Sequence, residues 1–220
     1  MIGFQPPAWS VPREWPGERC FVICGGESIR AQHKEIARLK GRIIAVKEGI
    51  LLRPDADVMF LTSDGFDHIA KRLIPRFKGT YIVSRGKWHP EFPERVKRVT
   101  RTKNHGALCD RPDHVCGLDS GTSSINLARH FGSTEIVLLG YDMTGGRWFN
   151  GELPKDVAKR VGEVRWHHPM PVIPDSHFRR HLKPLKDLAA DARAKDVRIV
   201  NCSPISRVDA FERQPLEAFL

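Results

Sequence analysis

Two stretches of this 220-residue chain have the residue types for phosphate chemistry. In CFVICGGESIR, residues 20–30, an apolar run stops at Gly25 and Gly26, and Glu27, Ser28 and a helical pattern follow. Glycines between a strand and a helix let backbone N–H groups approach an anion, and the helix turns its positive end toward it. Glu27 sets a negative charge beside that turn. A tight strand-to-helix turn with no ligand accounts for the same residues. The second stretch is YDM, residues 141–143, which ends the most apolar strand of the chain. Carboxyl ends of strands face the ligand crevice in open α/β sheets, so Asp142 is a candidate contact for a ribose, a metal or an acceptor. It serves equally well as a partner for N–H groups in the turn that follows. A third group, His105, Cys109, His114 and Cys116 in HGALCDRPDHVC, holds donors for tetrahedral zinc. Its spacing matches no zinc-finger pattern, and a plain polar loop explains it.

The elements that would position these residues alternate along the chain. Strands are expected at 19–24, 42–49, within 54–63, at 79–84 and at 133–143, with a last one in DVRIVNCSP. ERVKRVTRT, residues 94–102, alternates like an edge strand. Helices are expected at 28–41, at 64–77 behind a Ser63 or Asp64 cap, at 119–132 opened by Ser120 and Gly121, and as one long helix from Ser176 to Lys195. Apolar runs such as EIVLLG imply burial on both faces. The fold class is therefore α/β: a Rossmann-like, mostly parallel sheet with helices on both faces, in one domain spanning 1–220. Segments 19–143 and 176–212 form the core. Residues 144–175, rich in Gly, Pro and Trp, are too long for an ordinary connection and read as a lid or small subdomain, with Trp166, His167 and His168 on it.

Composition bounds the setting. No apolar run reaches transmembrane length and no secretory signal opens the chain, which points to the cytoplasm. Five cysteines are expected there as free thiols or metal ligands, not as a disulfide framework. The net charge is +10, and residues 71–103 hold eleven Lys and Arg against Glu91 and Glu94 alone. A face this basic attracts nucleic acid or a phosphorylated partner, or stands merely solvated.

Four pieces, in order, resemble the sialyltransferase-like fold group: FVICGGES, SGTSSINLARHFGSTEIVLLGYDM, DSHFRRH and RIVNCSPIS. That group contains bacterial sialyltransferases that use a CMP-sugar, and is similar to pterin pyrophosphokinase-like and flagellin-accessory proteins. Within it the chain resembles short phage and prophage proteins that begin with the same WSVPREWPGE. The resemblance spans roughly residues 9–212. It implies nucleotide binding by Gly25, Gly26 and Ser28 in the first turn and by Ser120, Gly121 and Thr122 at a helix start. Lys47 stands where the group carries an asparagine. A polar position after the third strand falls on Thr62, Ser63 or Asp64, with Asp64 favoured. A general-base histidine at the start of the late helix falls on His177, with His181 one turn later. The two tyrosines that serve the departing phosphate in the group are missing from the lid. Trp148 and Phe149 stand there, beside Arg147 and Lys155, which offer positive charge instead.

The function expected is a phage-type, sialyltransferase-like transfer from a nucleotide sugar, a CMP-sugar by resemblance, to an acceptor hydroxyl with inversion. No metal and no further cofactor is expected. Two alternatives stay open. One is a non-catalytic nucleic-acid or virion-associated protein using the face 71–103. The other is a pyrophosphokinase-like phosphoryl transferase, with Asp64, Asp142 and Glu27 as metal contacts.

Overall fold

Strands that alternate between two cores carry this fold. In the computed structural model, which describes residues 7–62, 77–84, 96–149, 153–161 and 175–220, the first strand is β1 (Arg19–Ile23). Its Cys20 and Val22 enter one core and its Phe21 and Ile23 the other. The same period of two runs through β2 (Arg42–Val46), β3 (Val58–Leu61) and β4 (Thr80–Val83). β5 (Val96–Arg98) closes that edge. In the other direction β1 pairs with β8 (Glu135–Leu139), then come β9 (Arg198–Asn201) and β10 (Glu212–Arg213). The order is β10-β9-β8-β1-β2-β3-β4-β5, and every pairing is parallel. β6 (Thr100–Arg101) and β7 (His114–Val115) form a separate small parallel pair.

Helices cover both faces, as the apolar strands require. On one lie α2 (Ser120–Phe131) and α5 (Leu185–Ala194), through residues such as Ile125, Leu127, Leu188 and Ala192. On the other lies α1 (Ile29–Ile36), through Ile29 and Ile36, with Val157 of α3 (Lys155–Val161). Full burial of Phe21, Val22 and Ile23 contributes about 1.5–3 kcal/mol each. The N-terminal lead-in is irregular, yet it is tied down: Trp15 stacks on Phe131 at 4.0 Å between ring centroids. The tail packs across the sheet edge with Phe211, Leu216 and Phe219 buried.

Three expectations are corrected. The long late helix is two, α4 (Asp175–Leu182) and α5, parted at Lys183 and Pro184. Proline lacks the N–H a continuing helix needs, and here it opens the second helix by accepting from Leu188 N–H through its carbonyl. Trp148 and Phe149 do not stand over the sheet end; both are buried in the core beside Val157. The loop 103–119 contains β7 and is organised by an amide, not by thiols. Asn126, fully buried, accepts from Cys109 N–H at 3.0 Å and Cys116 N–H at 2.9 Å and donates to the Cys109 carbonyl at 3.0 Å. Among the described residues no three His, Cys, Asp or Glu side chains gather as a metal cluster. Asp64, most of the basic segment and residues 150–152 and 162–174 of the supposed lid, with Trp166, His167 and His168, lie outside the described residues. No helix among the described residues is long and apolar enough to cross a membrane.

Candidate functional site

The chain runs outward from β1 in both directions, to β2 on one side and to β8 on the other. That reversal opens a crevice beyond the carboxyl ends of β1 and β8, where open α/β sheets bind ligands. A cleft of about 390 Å³ lies there. It gathers Gly25, Gly26, Lys47, Ser120, Gly121, Asp142, His177 and His181 from the sequence-based set. Ser28 and Thr122 stand just behind its wall, because their polar groups are committed elsewhere.

Ser28 donates to Asp142, from its N–H at 2.8 Å and its hydroxyl at 2.6 Å. Asp142 thus binds at the start of α1, where a free anion could have bound, and satisfies the dipole itself. Burial pushes its carboxyl pKa up, and the Ser28 bonds work against that. Gly26 lies so close beneath Asp142 that a Cβ there would sit 2.4 Å from Oδ2. Glu27 turns away and pairs with Arg30 at 2.7 Å. Its charge is met, and the negative group expected beside the turn does not face the cleft.

α2 begins at Ser120, but Ser120 is not its cap. Asp119 is the cap: it accepts from Thr122 N–H at 3.0 Å, and its own N–H donates to the Thr122 hydroxyl at 3.3 Å. The hydroxyl of Ser120 bonds that of Thr62. Gly121 is required by its neighbour, since a Cβ would fall 2.4 Å from the Tyr141 ring. The N–H groups of Gly25, Ser120 and Gly121 have no hydrogen-bond partner among the described residues. The last two are ordinary orphan donors of a helix start.

Asp119 does more than cap. Its Oδ2 accepts from the Tyr141 hydroxyl at 3.2 Å and lies 3.5 Å from His181 Nδ1. Burial pushes its pKa up, but the bonds from His181 and Thr122 outweigh that and hold it below the ordinary carboxylate value. His181 is 6% exposed, and its second nitrogen, Nε2, is buried without a partner among the described residues. His177, one turn earlier on α4, is exposed, its ring 4.3 Å from that of His181. Burial first, then His181, Arg180 and Arg147, lower its pKa. A buried carboxylate on one imidazole nitrogen with the other nitrogen unpartnered is the arrangement of an oriented base.

The remaining wall carries cations beside the buried Glu48. Lys47 follows β2 in the left-handed region at φ 50°. Arg147 is bridged through its backbone to Gly26, and Arg180 rides on α4. Arg101 also lines the cleft but donates to the Gly117 carbonyl at 2.7 Å. An Asp-x-Asp triplet, Asp55-Ala56-Asp57, precedes β3 at the opposite end of the sheet. Its acids bond Arg53, Arg42 and the Ile43 N–H, so it takes no part here. Asp119, Tyr141 and Arg180 were not singled out for the site in the sequence. The signal for Asp119 was present: an Asp three residues ahead of Thr122 is a capping pattern.

No protein-family model and no curated protein matches the chain. Solved structures do. A sialyltransferase shares the fold. A variant of the sialyltransferase CST-II, crystallised in complex with CMP, aligns over 89% of this chain and 85% of its own with a TM-score of 0.50. The two sequences are 12% identical. That likeness supports the mostly parallel α/β architecture and speaks for no individual side chain.

Proposed function

We propose that the chain is a nucleotide-dependent transferase of the glycosyltransferase type, with His181 as general base. One observation carries this reading: in the buried Asp119–His181 pair, Nε2 has no partner among the described residues, and His181 lines the crevice where this fold class binds its ligands. The orphan N–H groups of Gly25, Ser120 and Gly121 would hold the donor's phosphate. The acceptor hydroxyl would give its proton to His181 Nε2. Its oxygen would form a bond to the sugar's anomeric carbon as the bond from that carbon to the phosphate oxygen breaks. The electron pair leaves with the nucleotide, and the configuration inverts. Asp119 would stabilise the imidazolium across the 3.5 Å contact. His177, exposed and next in line, would receive the proton toward solvent.

The test uses a panel of CMP-, UDP- and GDP-sugars, with nucleotide release as readout and the melting temperature as a separate measure of binding. His181→Ala is expected to lower release at least a hundredfold while the nucleotide still raises the melting temperature. His177→Ala is expected to cost about tenfold or less. Unchanged release in His181→Ala overturns the assignment.

A further inference from the structure

We infer that Cys109 and Cys116 form a redox modification site: on meeting a small-molecule disulfide such as glutathione disulfide, they join reversibly to each other. The nucleotide reading above plays no part in this.

Asn126 sets the geometry. Fully buried in α2, it accepts with one oxygen from both cysteine N–H groups, Cys109 at 3.0 Å and Cys116 at 2.9 Å. Two nitrogens at those distances from one atom are at most 5.9 Å apart. Its amide nitrogen also donates to the Cys109 carbonyl at 3.0 Å, so Cys109 is held through both its N–H and its carbonyl. The side chains share one core: Cys116 is part of the apolar cluster that α2 covers, and Cys109 packs against it. A disulfide forms only between segments whose Cα atoms already approach within about 7 Å. The amide of Asn126 brings these two segments to that order of separation, with the backbone fixed before any bond forms.

Exposure sets the order of events. Cys109 is partly exposed, and the other four cysteines are buried. Burial pushes the Cys116 thiol up to about 12; the Cys109 N–H beside its sulfur works against that, and the Cys109 thiol adds to it. Cys109 therefore meets the reagent first. Its thiolate attacks glutathione disulfide, giving a mixed disulfide and one glutathione, which takes up a proton. The Cys116 sulfur then attacks the Cys109 sulfur. The second glutathione leaves with the electron pair of the breaking bond and takes the Cys116 proton. Two protein thiols are oxidised, and one glutathione disulfide is reduced to two glutathiones. Few Cys116 thiols are ionised near neutral pH, which slows this step. A well-oriented neighbour offsets that, since its effective concentration reaches ~10⁵ M. A reducing compartment returns the pair to thiols. The ring so closed contains β7, and Cys116 stands three residues before Asp119, so the joined loop runs straight into the cap of α2.

Incubation of the full chain with glutathione disulfide, followed by thiol counting after denaturation and peptide mapping by mass spectrometry, tests this. Five free thiols are expected to fall to three, with two glutathiones released per chain and none left on the protein. The peptide carrying Cys109 and Cys116 is expected to be lighter by two hydrogens, and dithiothreitol is expected to restore all five thiols. Cys116→Ser, checked for folding by circular dichroism, is expected to stop at a glutathione adduct on Cys109. Cys109→Ser is expected to keep all its remaining thiols. A lasting glutathione adduct on Cys109 in the unaltered chain overturns the inference. So does a bond to Cys20, Cys24 or Cys202, a disulfide-linked dimer, or a chain whose five thiols stay free. The map of the unaltered chain decides the matter even where a variant does not fold.

Discussion

At the scale of single residues, the site turns on Asp119, which has two duties that one substitution can separate. It caps α2, and it faces His181. Asparagine caps a helix about as well as aspartate. Asp119→Asn should therefore fold, while His181 loses its carboxylate partner. Nucleotide release is expected to fall by about two to four orders of magnitude, with nucleotide binding kept. Stability against pH gives a second readout. The folded pKa of Asp119 lies below its ordinary value of 3.8. Its ionised form thus adds stability that is fully present above that value and is lost as pH falls through the folded one. The asparagine variant should lack that contribution and show a shallower loss of stability in acid urea titrations. An equally steep loss would assign the acid limb to other carboxylates. The cap was legible from residue types and spacing; the pairing with His181 was not. His177 and His181 look alike in the sequence, and only the packing of α4 against the start of α2 shows that the second one meets an acid.

At the scale of elements, the two glycines of the first turn have different work. Gly26 is fixed by contact: a Cβ would meet Asp142 and the Gly140 carbonyl at 2.4 and 2.5 Å. At Gly25 an added Cβ would meet only ordinary neighbours, Phe149 at 3.5 Å and Arg147 at 3.7 Å. Gly26→Ala is expected to cost about 1–3 kcal/mol in a urea melt. Gly25→Ala is expected to cost under about 1 kcal/mol yet to weaken nucleotide binding, because its methyl enters the cleft. The opposite pattern would move the anion site away from this turn. The glycine pair announced a turn in the sequence, but which glycine serves the fold and which the ligand depends on Asp142, more than a hundred residues away. The strands were legible because their apolar runs are buried on both faces. The break at Pro184 was equally open to reading, since proline cannot continue a helix, and the apolar pattern on either side concealed it. The loop 103–119 misled through its cysteines and histidines, whose backbone and neighbours are organised by Asn126 from within a helix.

At the scale of the whole molecule, alternating strands and helices placed the crevice before any contact was known, because a reversal of strand order in a parallel sheet leaves a gap at the carboxyl ends. The same arrangement governs how the protein assembles. β1 joins β2 over a short stretch of chain, but its other neighbour, β8, is distant: Arg19 registers with Glu135, 116 residues further on. Closing so long a loop carries an entropic cost that comes before the contact rewards it, and distant pairings slow folding. The half from β1 to β5 can form from nearer partners, whereas the junction of β1 and β8 must wait. The candidate crevice opens beyond the carboxyl ends of the strands at that junction. In stopped-flow refolding, the ability to bind nucleotide is therefore expected to appear in the slowest major phase, after most helical signal has returned. Binding that recovers with the earliest phase would mean that β1 finds β8 first. If the expected order holds, the last seam to close is the one that opens the candidate crevice, and a chain caught partly folded would be largely helical before it could hold a ligand.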